Sequence, residues 1–146
     1  MSDKSLKLSY NCPGGDFDLA GEASAKIKKM LQRLGIPADV VRRIAIGTYE
    51  AEMNVIIHAG GGTVAAEIFS DRTVITVSDE GPGIPDIEQA LQEGWSTAPD
   101  YVRQMGFGAG MGLPNMQKCS DDFEINSVVG QGTKIVMLFK HQSEDI

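Results

Sequence analysis

Four glycines at alternate positions most restrict what this chain can build: Gly106, Gly108, Gly110 and Gly112, in the run Gly106-Phe107-Gly108-Ala109-Gly110-Met111-Gly112-Leu113. Glycine has no Cβ, so a ligand can approach its N–H groups closely, and left-handed φ angles carry no steric cost. The following stretch, Leu113-Pro114-Asn115-Met116-Gln117-Lys118, is compatible with a helix. A helix starting at Gly112 or Leu113 aims its unpaired N–H groups and positive dipole end back at the glycines. Pro114 suits a first turn, where its missing donor is not needed. Taken alone the run also suits a flexible surface loop; read with the helix it is a cradle for an anion, above all phosphate. It is not a Walker loop, which needs a Lys after its last glycine, nor the Gly-x-Gly-x-x-Gly of dinucleotide folds. No His-Arg-Asp or Asp-Phe-Gly triplet occurs, which excludes the eukaryotic type of protein kinase.

At 146 residues, 42% hydrophobic and 23% charged, the composition is that of one globular domain with a single core, residues 1–146. No apolar run approaches the ~18–20 residues of a membrane span. Met1-Ser2-Asp3-Lys4-Ser5 leads into no apolar signal segment, so the expected location is the cytoplasm. Cys12 and Cys119 match no zinc or redox spacing and read as two reduced thiols. A net charge of −7 argues against a nucleic-acid partner. A bound polyphosphate then needs local help from glycine amides, a helix end or a divalent cation.

Along the chain, Leu6 to Cys12 alternates as a half-buried strand and Pro13-Gly14-Gly15-Asp16 turns. Leu19 to Leu34 is helical, with Ala20, Ala23, Ile27, Met30, Leu31 and Leu34 on one stripe, and Gly35 stops it. A longer helix is expected from Ala38 to Ala59, with Val41, Ile44, Thr48, Ala51 and Val55 facing the core. Thr63–Phe69 and Arg72–Asp79 read as a hairpin around Ser70-Asp71. Asp86 caps a short helix, Ile87 to Glu93, and residues 94 to 110 lack a clean period, as a lid or binding loop does. Phe123–Val129 and Lys134–Phe139 are the last strands, about the turn Gly130-Gln131-Gly132-Thr133.

Chemistry-bearing residues cluster at three further places. Glu50, Asn54 and His58 sit four apart on the long helix and share one stripe. A carboxylate and an amide stacked in this way can hold a water and a hard cation such as magnesium, which takes oxygen ligands and keeps several waters. A solvated polar face is the plainer alternative, and His58 suits packing or the helix end. Glu52 lies about 200° from Glu50 on the wheel and is expected to be exposed. Asp79 ends its strand just before Glu80-Gly81-Pro82-Gly83-Ile84-Pro85, a rigid loop with accessible backbone. It is either an ordinary turn residue or the acceptor for an amino group such as N6 of adenine.

In order, Glu50-x-x-x-Asn54, Asp79-x-Gly81-x-Gly83-Ile84, Gly110-Met111-Gly112-Leu113 and Gly130-x-Gly132-Thr133 resemble the nucleotide-binding boxes of the GHKL (Bergerat-fold) ATPases, over about residues 6 to 140. The small size resembles the anti-sigma-factor serine kinases. Gly94-Trp95-Ser96-Thr97 and Gly108-Ala109-Gly110-Met111-Gly112-Leu113-Pro114 look closest to their stressosome switch-kinase relatives.

The resemblance implies an α+β fold: a two-layer α/β sandwich with a mainly antiparallel mixed sheet and helices on one face. It implies ATP and Mg²⁺, with Glu50 as general base and Asn54 on the metal. Asp79 would bind adenine N6, with Thr133 supporting it through water. Gly81, Gly83 and Ile84 would line the base pocket, and Gly108, Ala109, Gly110, Met111, Gly112 and Leu113 would wrap the phosphates. A lid would span about 94–112, with Trp95 at its base. Some anti-sigma kinases carry an Arg in the glycine run; here Ala109 or Gly110 stands there, and Arg103 is a substitute cation. The implied activity is phosphorylation of a hydroxyl on a STAS-domain protein of the anti-anti-sigma kind, with a sigma factor or phosphatase as further partners and a homodimer left open. The alternative is an ATP-gated binding module without turnover. A detached catalytic half of a histidine kinase is disfavoured, because no helix pair with a phosphoacceptor precedes the domain.

Overall fold

The computed structural model describes residues 4–14, 21–84, 91 and 112–142. Within them lie β1 (Leu6–Pro13), α1 (Glu22–Arg33), α2 (Ala38–His58), β2 (Gly61–Ile68), β3 (Arg72–Asp79), α3 (Gly112–Cys119), β4 (Asp122–Val128) and β5 (Gly132–Lys140). The expected helix 87–93, the lid with Trp95 and Arg103, the glycines up to Gly110 with Met111, and the side chain of His58 lie outside the described residues.

The five strands form one sheet in the order β1-β2-β3-β5-β4, antiparallel at every described pairing rather than mixed. Strand residues alternate between faces, and the register aligns the inward ones into rows. Tyr10, Val64, Val77, Ile135 and Ile125 make one row; Leu8, Ala66, Ile75, Met137 and Phe123 make the next. On this face α1, α2 and α3 pack, burying Ile27, Leu31, Ile44, Ala51, Val55, Leu113 and Met116 against the strands in one cluster. The architecture is thus two layers, α+β, with the helices on one face. No described helix is long and apolar enough to cross a membrane.

The helix ends follow local chemistry. Gly35 stops α1 as expected: at φ 75° it turns left-handed, and the N–H of Ile36 reaches back to the carbonyl of Leu31 at 3.2 Å. Leu34, assigned to the apolar stripe from its spacing, is 49% exposed because α1 has already ended at Arg33. On α2, Val41, Ile44, Thr48, Ala51 and Val55 are all buried, as their spacing requires. The Thr48 hydroxyl is completely buried and has no hydrogen-bond partner among the described residues.

Glu52 corrects the helical-wheel reading. It is 1% exposed, and its carboxylate accepts the N–H groups of Gly21 at 3.1 Å, Ala23 at 3.2 Å and Ser24 at 3.0 Å. The wheel placed it away from Glu50 correctly, but that side of α2 faces the start of α1 and not water.

Candidate nucleotide site

One end of the sheet is polar on its helix-facing side. Asp79 pairs with Thr133, and Thr133 pairs with Ser127, which places all three side by side. Asp79 Oδ1 accepts two backbone N–H groups, from Gly81 at 2.9 Å and Thr133 at 3.2 Å. Its other oxygen accepts no hydrogen bond from any described residue. A carboxylate fixed through one oxygen presents the second in a set direction, ready for an amino donor. The Thr133 hydroxyl meets that of Ser127 at 2.8 Å, and Ser127 Oγ accepts the N–H of Ile84 at 2.7 Å. Thr133 therefore supports Asp79 directly, through its backbone.

Tight backbone packing shapes the loop after Asp79. Gly83 has φ 80°, and a Cβ there would lie 2.6 Å from the Val128 carbonyl oxygen. The N–H of Gly130 donates to the Pro82 carbonyl at 2.8 Å, tying the loop to the β4–β5 turn. Gly81 is equally confined, since a Cβ would fall 2.8 Å from Ala59 Cα, at the end of α2. Ile84 packs on the core cluster from this loop.

Glu50 and Asn54 lie on α2, both half-buried, about 6 Å apart along the axis by helical rise. Glu50 Oε1 accepts the side-chain N–H of Asn115 at 3.4 Å. Asn115 lies in the first turns of α3, whose start at Gly112 follows the glycine run. The carboxylate of one helix therefore stands beside the N-terminal end of another, where a phosphate would be held. Arg43 anchors the opposite end of α3, donating to the Cys119 carbonyl at 3.1 Å, to Asp121 at 3.4 Å and to the Lys140 carbonyl at 3.4 Å. A cation at a helix C-terminus complements the dipole there.

Among the described residues no group of three or more His, Cys, Asp or Glu side chains could hold a metal ion. Asn54, a single amide on this helix, fits an ion that takes most of its ligands from phosphate and water, as magnesium does. The two thiols stay apart from this chemistry. Burial, and then the Glu52 charge, push Cys12 up to about 11. Burial raises Cys119 more than the Arg43 charge lowers it.

Glu50, Asn54, Asp79, Gly81, Gly83, Ile84, Gly112, Leu113 and Thr133 are all among the described residues: Glu50 meets α3 through Asn115, Gly81 packs on the end of α2 at Ala59, and Asp79 and Ile84 join Thr133 and Ser127. Gly108, Ala109, Gly110 and Met111 lie outside the described residues. Ser127 and Asn115 were missed. Ser127 carried a signal, being the inward position of an alternating strand; Asn115 carried only its place after the glycine run.

Helices layered on one face of an antiparallel sheet, with an acidic strand end beside a glycine-bound loop, define a two-layer α+β sandwich. The chain belongs to the histidine kinase-like ATPase domain family, which it matches over residues 16–139. It is 34% identical to the serine/threonine-protein kinase RsbT of Bacillus subtilis (strain 168), over 74% of this chain and 78% of that one. It is 31% identical to the anti-sigma F factor of Clostridium beijerinckii, over 94% of each chain. A solved structure of the SiaB-SiaC complex from Pseudomonas aeruginosa shares the fold, with a TM-score of 0.61 over 90% of this chain and 88% of that one, at 13% identity. Family membership makes the chain an ATP-binding domain.

Proposed function

We propose that this chain is an ATP-dependent serine/threonine protein kinase of the anti-sigma, partner-switching type, acting in the cytoplasm on a hydroxyl of a small STAS-domain antagonist protein. The observation that carries the reading is the Glu50–Asn115 contact, which sets a carboxylate beside the start of α3. A pure nucleotide sensor has no use for a base at that point. Similarity to RsbT over 74% of this chain, and to an anti-sigma F factor over 94% of it, supports the same class.

ATP is the substrate. Asp79 would take the adenine amino group, the Gly81–Ile84 loop would line the base, and the amides of the run from Gly108 to Leu113 would hold the phosphates. Glu50 removes the proton from the acceptor hydroxyl as the new O–P bond forms. The bond from the γ-phosphorus to the bridging oxygen breaks, and ADP leaves with the electron pair. Asn54 would hold magnesium, which would supply charge neutralisation on the phosphate oxygens. A sigma factor or a phosphatase is the further partner whose binding follows the nucleotide state.

Incubation with γ-labelled ATP and purified STAS-domain proteins tests this. Acid-stable label on one of them, lost in Glu50→Gln while ATP still binds, is the expected result. Nucleotide-dependent complex formation without label would instead make the chain a binding module.

A further inference from the structure

Glu52 is a buried charge for which phosphoryl transfer gives no role. The first N–H groups of a helix lack intrahelical partners, and residues such as Ser or Asp at the N-cap normally satisfy them locally. Helix α1 has Gly21 there, at φ 90°, with no side-chain cap. The Glu52 carboxylate does this work from α2, taking three N–H groups across both of its oxygens. Charge-assisted bonds at the positive end of a helix are strong ones.

Two residues along a helix is a rotation of about 200°. Glu52 therefore binds α1 on one flank of α2, while Glu50 binds Asn115 of α3 on the other. A local cap would secure α1 equally well and leave α2 free to turn. A cap borrowed from α2 fixes the rotational setting of α2 as well. Side-chain ends lie about 5–6 Å from a helix axis, so a turn of about 10° moves them by about 1 Å. An error of that size in a reacting group can cost on the order of 10²-fold in rate.

We propose that Glu52 is a positioning residue: by clamping the start of α1 it sets the rotation of α2, and with it the aim of Glu50 at Asn115 and of Asn54 at the metal. The proposal rests on the roles given above to Glu50 and Asn54, and its test separates the two. Glu52→Gln keeps the shape but leaves one side of the group unable to accept. Glu52→Asp keeps the charge one methylene short, and serves if the first variant folds poorly. Two readouts are needed: the side-chain amide resonance of Asn115 in a ¹H–¹⁵N spectrum, and the ratio of ATP affinities in magnesium and in EDTA.

In Glu52→Gln the amides of Gly21, Ala23 and Ser24 should exchange faster, the Asn115 resonance should move, and the magnesium ratio should fall at least threefold. Glu52→Asp should show the same changes in smaller measure. If the α1 amides open and the melting temperature falls while the Asn115 resonance and the magnesium ratio keep their native values, Glu52 is a cap only and the proposal is wrong. Asn54→Ala serves as the control. A ratio unchanged there overturns the metal role of Asn54, while the Asn115 resonance still decides the role of Glu52.

Discussion

Asp79 Oδ1 accepts the backbone N–H of Thr133 at 3.2 Å, joining two residues 54 apart in sequence across the β3–β5 pairing. Together with the Gly81 N–H it fixes one oxygen of the carboxylate and leaves the other for a ligand donor. In Asp79→Asn the amide oxygen can keep the two backbone bonds. An NH₂ group then meets the adenine amino group, donor against donor. ATP affinity should fall at least tenfold, about 1.4 kcal/mol, with the melting temperature little changed. Calorimetric titration beside a thermal melt checks both halves. Native affinity in this variant would place adenine elsewhere.

Gly83→Ala should damage both fold and site. Its φ of 80° is strained for alanine, and the added Cβ would press on the Val128 carbonyl. A cost of about 1–3 kcal/mol is expected for a left-handed non-glycine residue. Each kcal/mol lowers the melting temperature by about 2–4 °C in a chain of this size. ATP affinity should weaken as well, because Ile84 follows directly.

Thr48→Val should stabilise the protein. The threonine hydroxyl is buried without a partner among the described residues, and valine has nearly the same shape. Removing an unsatisfied buried hydroxyl is worth about 1 kcal/mol. The urea midpoint should rise at constant slope; a fall would show that the hydroxyl is bonded in solution.

Cys12 predicts an alkaline instability. Its pKa rises from 9.0 to about 11 on folding, so the folded state favours the neutral thiol. The resulting stabilisation is complete below pH 9 and is lost as pH rises from 9 toward 11, where the unfolded chain releases its proton first. Cys12→Ala should therefore flatten that limb of a melting-temperature profile. Below pH 8 the variant should differ from the native protein only by a constant packing cost.

How far the sequence could be read differs from residue to residue. Val41, Ile44, Ala51 and Val55 declared themselves by spacing, because a helix packed on a sheet must present one apolar stripe. Glycine marks the turns at Gly83 and Gly132 because their φ angles of 80° and 132° are left-handed, and Gly81 because a Cβ would strike Ala59. Glu52 was misread. A helical wheel gives a direction and not a neighbour, and only folding brings the start of α1 to that flank. Leu34 failed because periodicity runs on past the residue at which Gly35 ends the helix. Ser127 lay on the inward face of β4, but its importance came from sheet register, which sets it against Thr133 and under the N–H of Ile84.

By itself the sequence determined the described elements, their order and the glycine-marked turns, because period and φ are local properties. Tertiary structure alone decided which polar groups meet. Asp79 with Thr133, Glu50 with Asn115 and Glu52 with the start of α1 are pairings made by register and helix packing, across separations of 54, 65 and 28 to 31 residues. Hydrogen bonds of that kind have no signature in either partner's local sequence.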